Sequence, residues 1–130
     1  MYRAYFDGLA KPNPGPASIG AYIETIDGNV IWEVSKKIGD ATNNIAEYKA
    51  LIEVLQELHD RNITDAEIYG DSQLVVNQVN ENWSVNQRHL EVYQLAASCL
   101  LSMTKSKLRW ISRKLNKKAD ALSQKAFQQA

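Results

Sequence analysis

A strand of apolar and aromatic residues that runs straight into a carboxylate is the feature of this chain that is hardest to accommodate. Residues 1–8, Met-Tyr-Arg-Ala-Tyr-Phe-Asp-Gly, form such a strand. In an extended segment Tyr2, Ala4 and Phe6 share one face, and Arg3, Tyr5 and Asp7 share the other. The pattern predicts a core strand with Asp7 as its last residue before a break at Gly8. A carboxylate at the end of a buried strand is unfavourable unless a cation or hydrogen-bond donors meet it. Asp7 is therefore a candidate anchor for a metal site at the carboxyl edge of a sheet. The alternative is ordinary Asp-Gly turn chemistry.

The remaining elements follow from punctuation and periodicity. Lys11-Pro12-Asn13-Pro14-Gly15-Pro16 is a loop, because three prolines fix φ and remove backbone donors. Residues 18–26 and 30–38 are apolar, β-branched runs. Asp27-Gly28-Asn29 between them is hairpin punctuation, so strands one to three are expected to be antiparallel neighbours. Thr42, Asn43 and Asn44 offer N-caps for a helix over 45–59 with a Leu51, Val54, Leu55, Leu58 stripe. A short strand at 66–70 ends before Asp71, and a short helix follows at 72–79. Residues 80–86 form a polar loop carrying Trp83. A longer helix spans 87–103, with Leu90, Tyr93, Leu95, Ala97, Leu100 and Leu101 as its apolar material and Cys99 expected in the core. A fifth strand covers 108–112, and a last helix begins near Asn116, a plausible cap. The order describes one α/β domain over 1–130, with a five-stranded mixed sheet flanked by helices. Strands one to three are antiparallel, and strands one, four and five are parallel through right-handed crossovers. Active clefts in such sheets lie beyond the carboxyl ends of the parallel strands.

Four acids are placed near that edge. Glu47 precedes Leu51, Val54 and Leu58 by four, seven and eleven residues, so it lies on the core-facing stripe of its helix. Asp71 follows strand four, and Asp120 lies in the first turn of the last helix. Each has an ordinary alternative: dipole stabilisation for Glu47 and Asp120, capping for Asp71. Four carboxylates brought to one edge would repel one another without divalent cations. An oxygen-only donor set points to Mg²⁺ or Mn²⁺.

The chain has 15 basic and 15 acidic residues, which disfavours strong nonspecific binding to nucleic acid. Seven of the basic residues fall between Thr104 and Lys118 with no acid among them. They are read either as a solvated face or as a phosphate-facing patch. No apolar run approaches the roughly 20 residues of a membrane span, and the N-terminus lacks signal-peptide patterning. With one cysteine, a reducing cytoplasm is expected.

The segments Phe6-Asp-Gly8 with Asn13-Pro-Gly-Pro16, Thr42-Asn-Asn-Ile-Ala-Glu47, Gly70-Asp-Ser-Gln73, and Trp110-Ile-Ser-Arg113 with Asn116-Lys-Lys-Ala-Asp120 resemble, in order and separation, those of the type 1 ribonuclease H family. The resemblance covers nearly the whole chain and implies a ribonuclease-H-like fold. It implies Asp7, Glu47, Asp71 and Asp120 as catalytic acids holding two ions. Asp7 would bridge, Glu47 and Asp71 would complete one ion site, and Asp120 the other. The implied reaction is hydrolysis of the RNA strand of an RNA–DNA hybrid, leaving a 5′-phosphate and a 3′-hydroxyl. By the same resemblance, Asn13, Asn43, Asn44 and Gln73 contact the hybrid's minor groove. Amides suit a 2′-hydroxyl because they both donate and accept. Thr42 and Asn86 would belong to a pocket for a DNA phosphate, and Trp83 would stack on a DNA sugar.

Three departures from the family pattern stand out. Asp40 occupies a position that often holds Arg, the basic helix and loop between strand four and the long helix are missing, and the loop at 112–118 has no His. Arg113 or Lys114 would partly replace that His. The expectation is a short-form enzyme, monomeric, with no membrane association and no obligate protein partner, that binds weakly and salt-sensitively. The other readings are a hybrid-binding module with weak or no catalysis and a DNA-acting nuclease of the same fold.

Overall fold

The computed structural model describes residues 1–128. Its elements run β1 (Tyr2–Ala10), β2 (Gly15–Thr25), β3 (Val30–Ala41), α1 (Asn43–Asp60), β4 (Glu67–Gly70), α2 (Gln73–Val79), α3 (Arg88–Thr104), β5 (Lys107–Trp110), a single 3₁₀ turn at Arg113–Leu115, and α4 (Lys117–Gln128). The five strands form one sheet in the order β3-β2-β1-β4-β5. β1 pairs antiparallel with β2, and β2 with β3. β1 pairs parallel with β4, and β4 with β5. The mixed sheet expected from the sequence is therefore present.

β1 runs three residues beyond Asp7, because β2 continues its ladder as far as Ala10↔Ala17. Gly8 is therefore not a strand break. Its role is steric, since a Cβ there would lie 2.2 Å from the carbonyl carbon of Ala46 in α1. β3 also outruns the expected Ile38. It passes through a bulge, with Ala17 opposite Gly39 and Ser18 opposite Lys37, before closing at Gly15↔Ala41. Gly39 supplies the positive φ, +82°, that this bulge uses.

The two faces of the sheet are covered unequally. Ala4 and Phe6 of β1, with Ile19, Ala21 and Ile23 of β2, Ile68 of β4 and Leu108 of β5, pack against Leu51, Val54, Leu55 and Leu58 of α1 and Leu90 and Ala97 of α3 in the main core. The long helix α3 presents Leu90, Ala97 and Thr104 inward. Cys99 was expected in the core but is exposed, and so is Leu95, at 66%. They share the outer side of α3 with Val92 and Met103, because 95 and 99 fall roughly half a turn away from 90, 97 and 104.

On the opposite face α4 lies against β2. At Gly20 a Cβ would stand 2.3 Å from the Ser123 amide nitrogen and 2.4 Å from the Ala119 carbonyl oxygen. The Ser18 hydroxyl donates to the Ser123 carbonyl, and the Ser35 hydroxyl donates to that of Leu122. Alongside α4, Tyr22, Tyr5 and Tyr69 stack across adjacent strands with centroids 4.8 and 5.2 Å apart. Lys118 of α4 lies 4.8 Å from the centre of the Tyr22 ring.

No helix among the described residues is long and apolar enough to cross a membrane. The contact at Gly20 leaves no room for a methyl group. Gly20→Ala is expected to lower stability by about 1–3 kcal/mol through displacement of α4, measured by urea unfolding. Gly28→Ala should fall short of that loss, since nothing lies within 4 Å of its added carbon and only its φ of +90° resists the change.

Candidate active site

The site forms where β1 outlasts its parallel neighbour. Pairing of β1 with β4 ends at Tyr5↔Tyr69. Two residues further along each chain stand Asp7 and Asp71. From there β1 shows backbone groups on its β4 side that no strand meets, and three side chains take them. Asn116 Nδ2 donates to the Phe6 carbonyl at 2.9 Å. The Gly8 amide donates to Glu47 Oε1 and, at 3.0 Å, to Asp7 Oδ1. The Ala10 amide donates to Asn43 Oδ1 at 2.7 Å. The elements around the cleft are thus anchored to β1 by hydrogen bonds that a longer β4 would have made.

The ordinary alternatives for Asp7 and Asp71 do not hold. The Ser72 hydroxyl, not Asp71, accepts from the Val75 amide and caps α2. Thr42 caps α1 by accepting from Ile45 N at 3.1 Å, so Glu47 is free to turn to Gly8. Asp7 is not in a turn. Asp7, Glu47 and Asp71 each offer an oxygen within 4.8 Å of the others. Asp7 and Glu47 are both 7% exposed. Asp71 is oriented by Asn116 Nδ2 at 3.1 Å from its Oδ2, and its backbone carbonyl accepts from the Trp110 indole at 3.1 Å. Asp120, half-buried, stands outside this trio but lines the same cleft of about 370 Å³, with Asn43, Asn44, Arg113 and Gln124. Gln124 Nε2 holds both of its carboxylate oxygens, at 3.2 and 3.1 Å.

Burial, opposed by a hydrogen bond with Glu47 and reinforced by the charges of Asp71 and Asp120, pushes the Asp7 carboxyl up to about 7. Burial and the charge of Asp7 push Glu47 well above the usual carboxylate range, although the Gly8 amide pulls it back. A hard divalent cation relieves both penalties. The donors are all oxygens at one point, so the residues fit such an ion.

The remaining sequence candidates fall into three groups. Asn44 lines the acid cleft and also an adjoining one of about 510 Å³, where Trp83 (46% exposed) and Asn86 lie with Leu74, Gln78 and Gln87. Asn13 Oδ1 accepts from the Asn43 amide, and Asn43 itself is committed to Ala10. Thr42 is committed to its cap. Gln73 and Lys114 are exposed at the periphery, and Asp40 is exposed on β3. The basic stretch is no single patch. Arg109 pairs with Glu67 across strands at 3.8 Å and Lys118 lies on Tyr22, while Arg113 lines the acid cleft. Sequence reading missed the role of Asn116. An Asn just before a helix looks like a cap, and only the fold reveals that its side chain, 1% exposed, points to β1 and Asp71 instead.

Comparison with known proteins follows the same outline. A family model described as "Reverse transcriptase-like" matches residues 5–126. Ribonuclease HI of Halobacterium salinarum is 40% identical over 129 residues, which is 98% of this chain and 65% of that protein. A bifunctional protein of Mycobacterium tuberculosis is 36% identical over 126 residues, 95% of this chain and 35% of that protein. The chain thus spans under two thirds of the length of these relatives. The crystal structure of RNase H1 from Halobacterium salinarum superposes with a TM-score of 0.94 at 39% identity, covering 99% of this chain and 98% of that one. That of LC11-RNase H1 in complex with an RNA/DNA hybrid gives 0.91 at 32% identity, covering 98% and 97%.

A carboxyl whose pKa rises on folding stabilises the fold fully below its unfolded value and loses that contribution as pH rises through the folded one. Metal-free protein should therefore unfold at lower temperature at pH 8 than at pH 5, with Asp7 contributing of order 2–4 kcal/mol. Asp7→Asn should flatten that slope, and Mn²⁺ should raise the wild-type midpoint more at pH 8 than at pH 5, by scanning calorimetry. Asn116→Ala, which strands the Phe6 carbonyl and frees Asp71, should cost about 1–3 kcal/mol and weaken the Mn²⁺ shift.

Proposed function

The chain belongs to the ribonuclease HI family and has its fold, and on that footing we propose that it is a divalent-metal-dependent endonuclease that hydrolyses the RNA strand of RNA–DNA hybrids. The observation that carries this reading is the meeting of Asp7, Glu47 and Asp71 from β1, α1 and the end of β4, with Asp120 of α4 on the same cleft. Asp7, at the centre, is the ligand suited to lie between two ions. Glu47 and Asp71 would hold one ion, and Asp120 the other. Mg²⁺ or Mn²⁺ suits an all-oxygen cradle of this kind. The chemistry that a bound ion pair supplies in such a cradle is activation of the attacking water and stabilisation of the leaving oxygen. The products are a 5′-phosphate and a 3′-hydroxyl.

The chain's own residues do the positioning. Gly8 and Asn116 fix the Glu47 and Asp71 carboxylates before substrate arrives. Arg113 brings a cation to the cleft that the four acids line, where it would meet a substrate phosphate. Lys114, further out, adds to the field at the entrance. Asn44 faces both clefts and is placed to read the 2′-hydroxyl of the RNA strand, with Asn13, Asn43 and Gln73 along the same edge. Thr42, Trp83 and Asn86 serve the DNA strand. With Asp40 near Thr42 and no basic handle, affinity rests on few phosphate contacts and falls steeply with salt. We further infer that residues 1–130 act as one monomeric catalytic domain in a reducing, cytoplasmic setting, which suits a lone exposed thiol.

A labelled-strand assay with hybrid, duplex DNA and duplex RNA, in Mg²⁺ and in Mn²⁺, tests the proposal. Hybrid RNA should be cut preferentially, and Asp7→Asn should lower the rate by at least about 100-fold. Cutting of duplex DNA in preference to hybrid, or binding of hybrid without turnover in either metal, would overturn it.

A further inference from the structure

Beneath the second cleft lies a polar pair that the acid chemistry does not use. Tyr48, the residue after Glu47 in α1, is fully buried, and its hydroxyl donates to Gln78 Oε1 at 2.6 Å. Gln78 is 4% exposed, on a helix whose other buried residues are Val75, Val76 and Val79. With its carbonyl oxygen occupied, the amide must turn its NH₂ group the other way. There Nε2 reaches the Ser84 carbonyl at 3.5 Å. Ser84 follows Trp83 in the loop that lines the cleft of about 510 Å³, and Gln78 itself lines that cleft.

The loop's other supports lie mainly at its start, with Val85 packed against the core just beyond Ser84. The loop leaves α2 through Glu81, whose φ of +64° puts a non-glycine residue in the left-handed position of a helix C-terminus. The Asn82 and Trp83 amides then both return to the Asn77 carbonyl, at 2.8 and 3.2 Å. This fixes the first half of the loop. The second half, towards Ser84 and Asn86, is met from below by Gln78. A buried hydroxyl–amide pair is a poor choice for stability alone, because replacing both partners by apolar groups of similar shape is close to neutral.

We propose that Gln78, oriented by Tyr48, is a positioning residue for substrate. It sets the height of the Trp83 loop over the cleft and so the grip on the DNA strand, and it ties that loop to the same turn of α1 that carries Glu47. This rests on the hybrid-cleaving reading above.

Hybrid affinity is measured in an Asp7→Asn parent, expected to cut too slowly to consume the hybrid during the measurement. 5-Fluorotryptophan ¹⁹F spectra, with the Trp83 resonance assigned by Trp83→Phe, report the loop. Tyr48→Phe and Gln78→Met should each weaken binding about two- to tenfold and move the Trp83 resonance. In the cutting enzyme they should raise KM with kcat within about twofold. The double variant Tyr48→Phe/Gln78→Met should recover the thermal midpoint, since neither partner is left stranded, yet keep the weakened affinity. A double variant that binds like the parent, or single variants that bind like it with the Trp83 resonance unmoved, would overturn the role of Gln78. A parent that binds no hybrid would overturn the substrate reading and this inference with it.

Discussion

Past Tyr5↔Tyr69 the central strand has one neighbour instead of two, and the site depends on how its exposed edge is satisfied. An unpaired backbone donor or acceptor away from water is costly, and here Phe6, Gly8 and Ala10 each present one. Asn116, Glu47 and Asn43 satisfy them in turn. Each of these side chains belongs to a different part of the site: the entry to α4, the acid turn of α1, and its first residue. The same hydrogen bonds that complete the ladder therefore fix the carboxylates. A longer β4 would have paired the edge and removed the reason for those side chains to be there.

The price of this arrangement is electrostatic. Asp7 and Glu47 are nearly sealed from solvent and face Asp71 and Asp120, so burial and mutual repulsion both resist ionisation. Stability and function pull in opposite directions. Without cations the fold favours protonated acids, whereas a bound divalent cation would favour ionised ones. The tension persists because α1 and α4 are held in place by main-chain contact at Gly8 and Gly20, on opposite faces of the sheet. Neither helix can retreat to spread the charges without giving up close packing.

Much of this was legible in the sequence, for reasons that can be named. The three antiparallel strands followed from Asp27-Gly28-Asn29, and Glu47 stood out because a carboxylate occupied a core position of a clear helical stripe. The edge placement of Asp7 was right in effect but wrong in detail. Strand length depends on what a neighbour offers, and residues 8–10 look like loop without β2 beside them. Cys99 was misplaced because α3 has apolar residues on more than one side, so composition could not choose its inner face. The basic stretch looked like one patch because it is contiguous in sequence; a strand, a turn and a helix then send its members to different surfaces. Asn116 was invisible as a site residue, since it matters through Phe6 and Asp71, which lie far from it in the chain.

The position of α4 has a consequence for how such a domain comes into being. Its carboxylate, Asp120, is the last of the four to be synthesised, 49 residues after Asp71. The strands that α4 packs against are among the first elements made. The cleft that the four acids line is therefore closed last in chain order, by a helix seated on Gly20 of a strand made near the start.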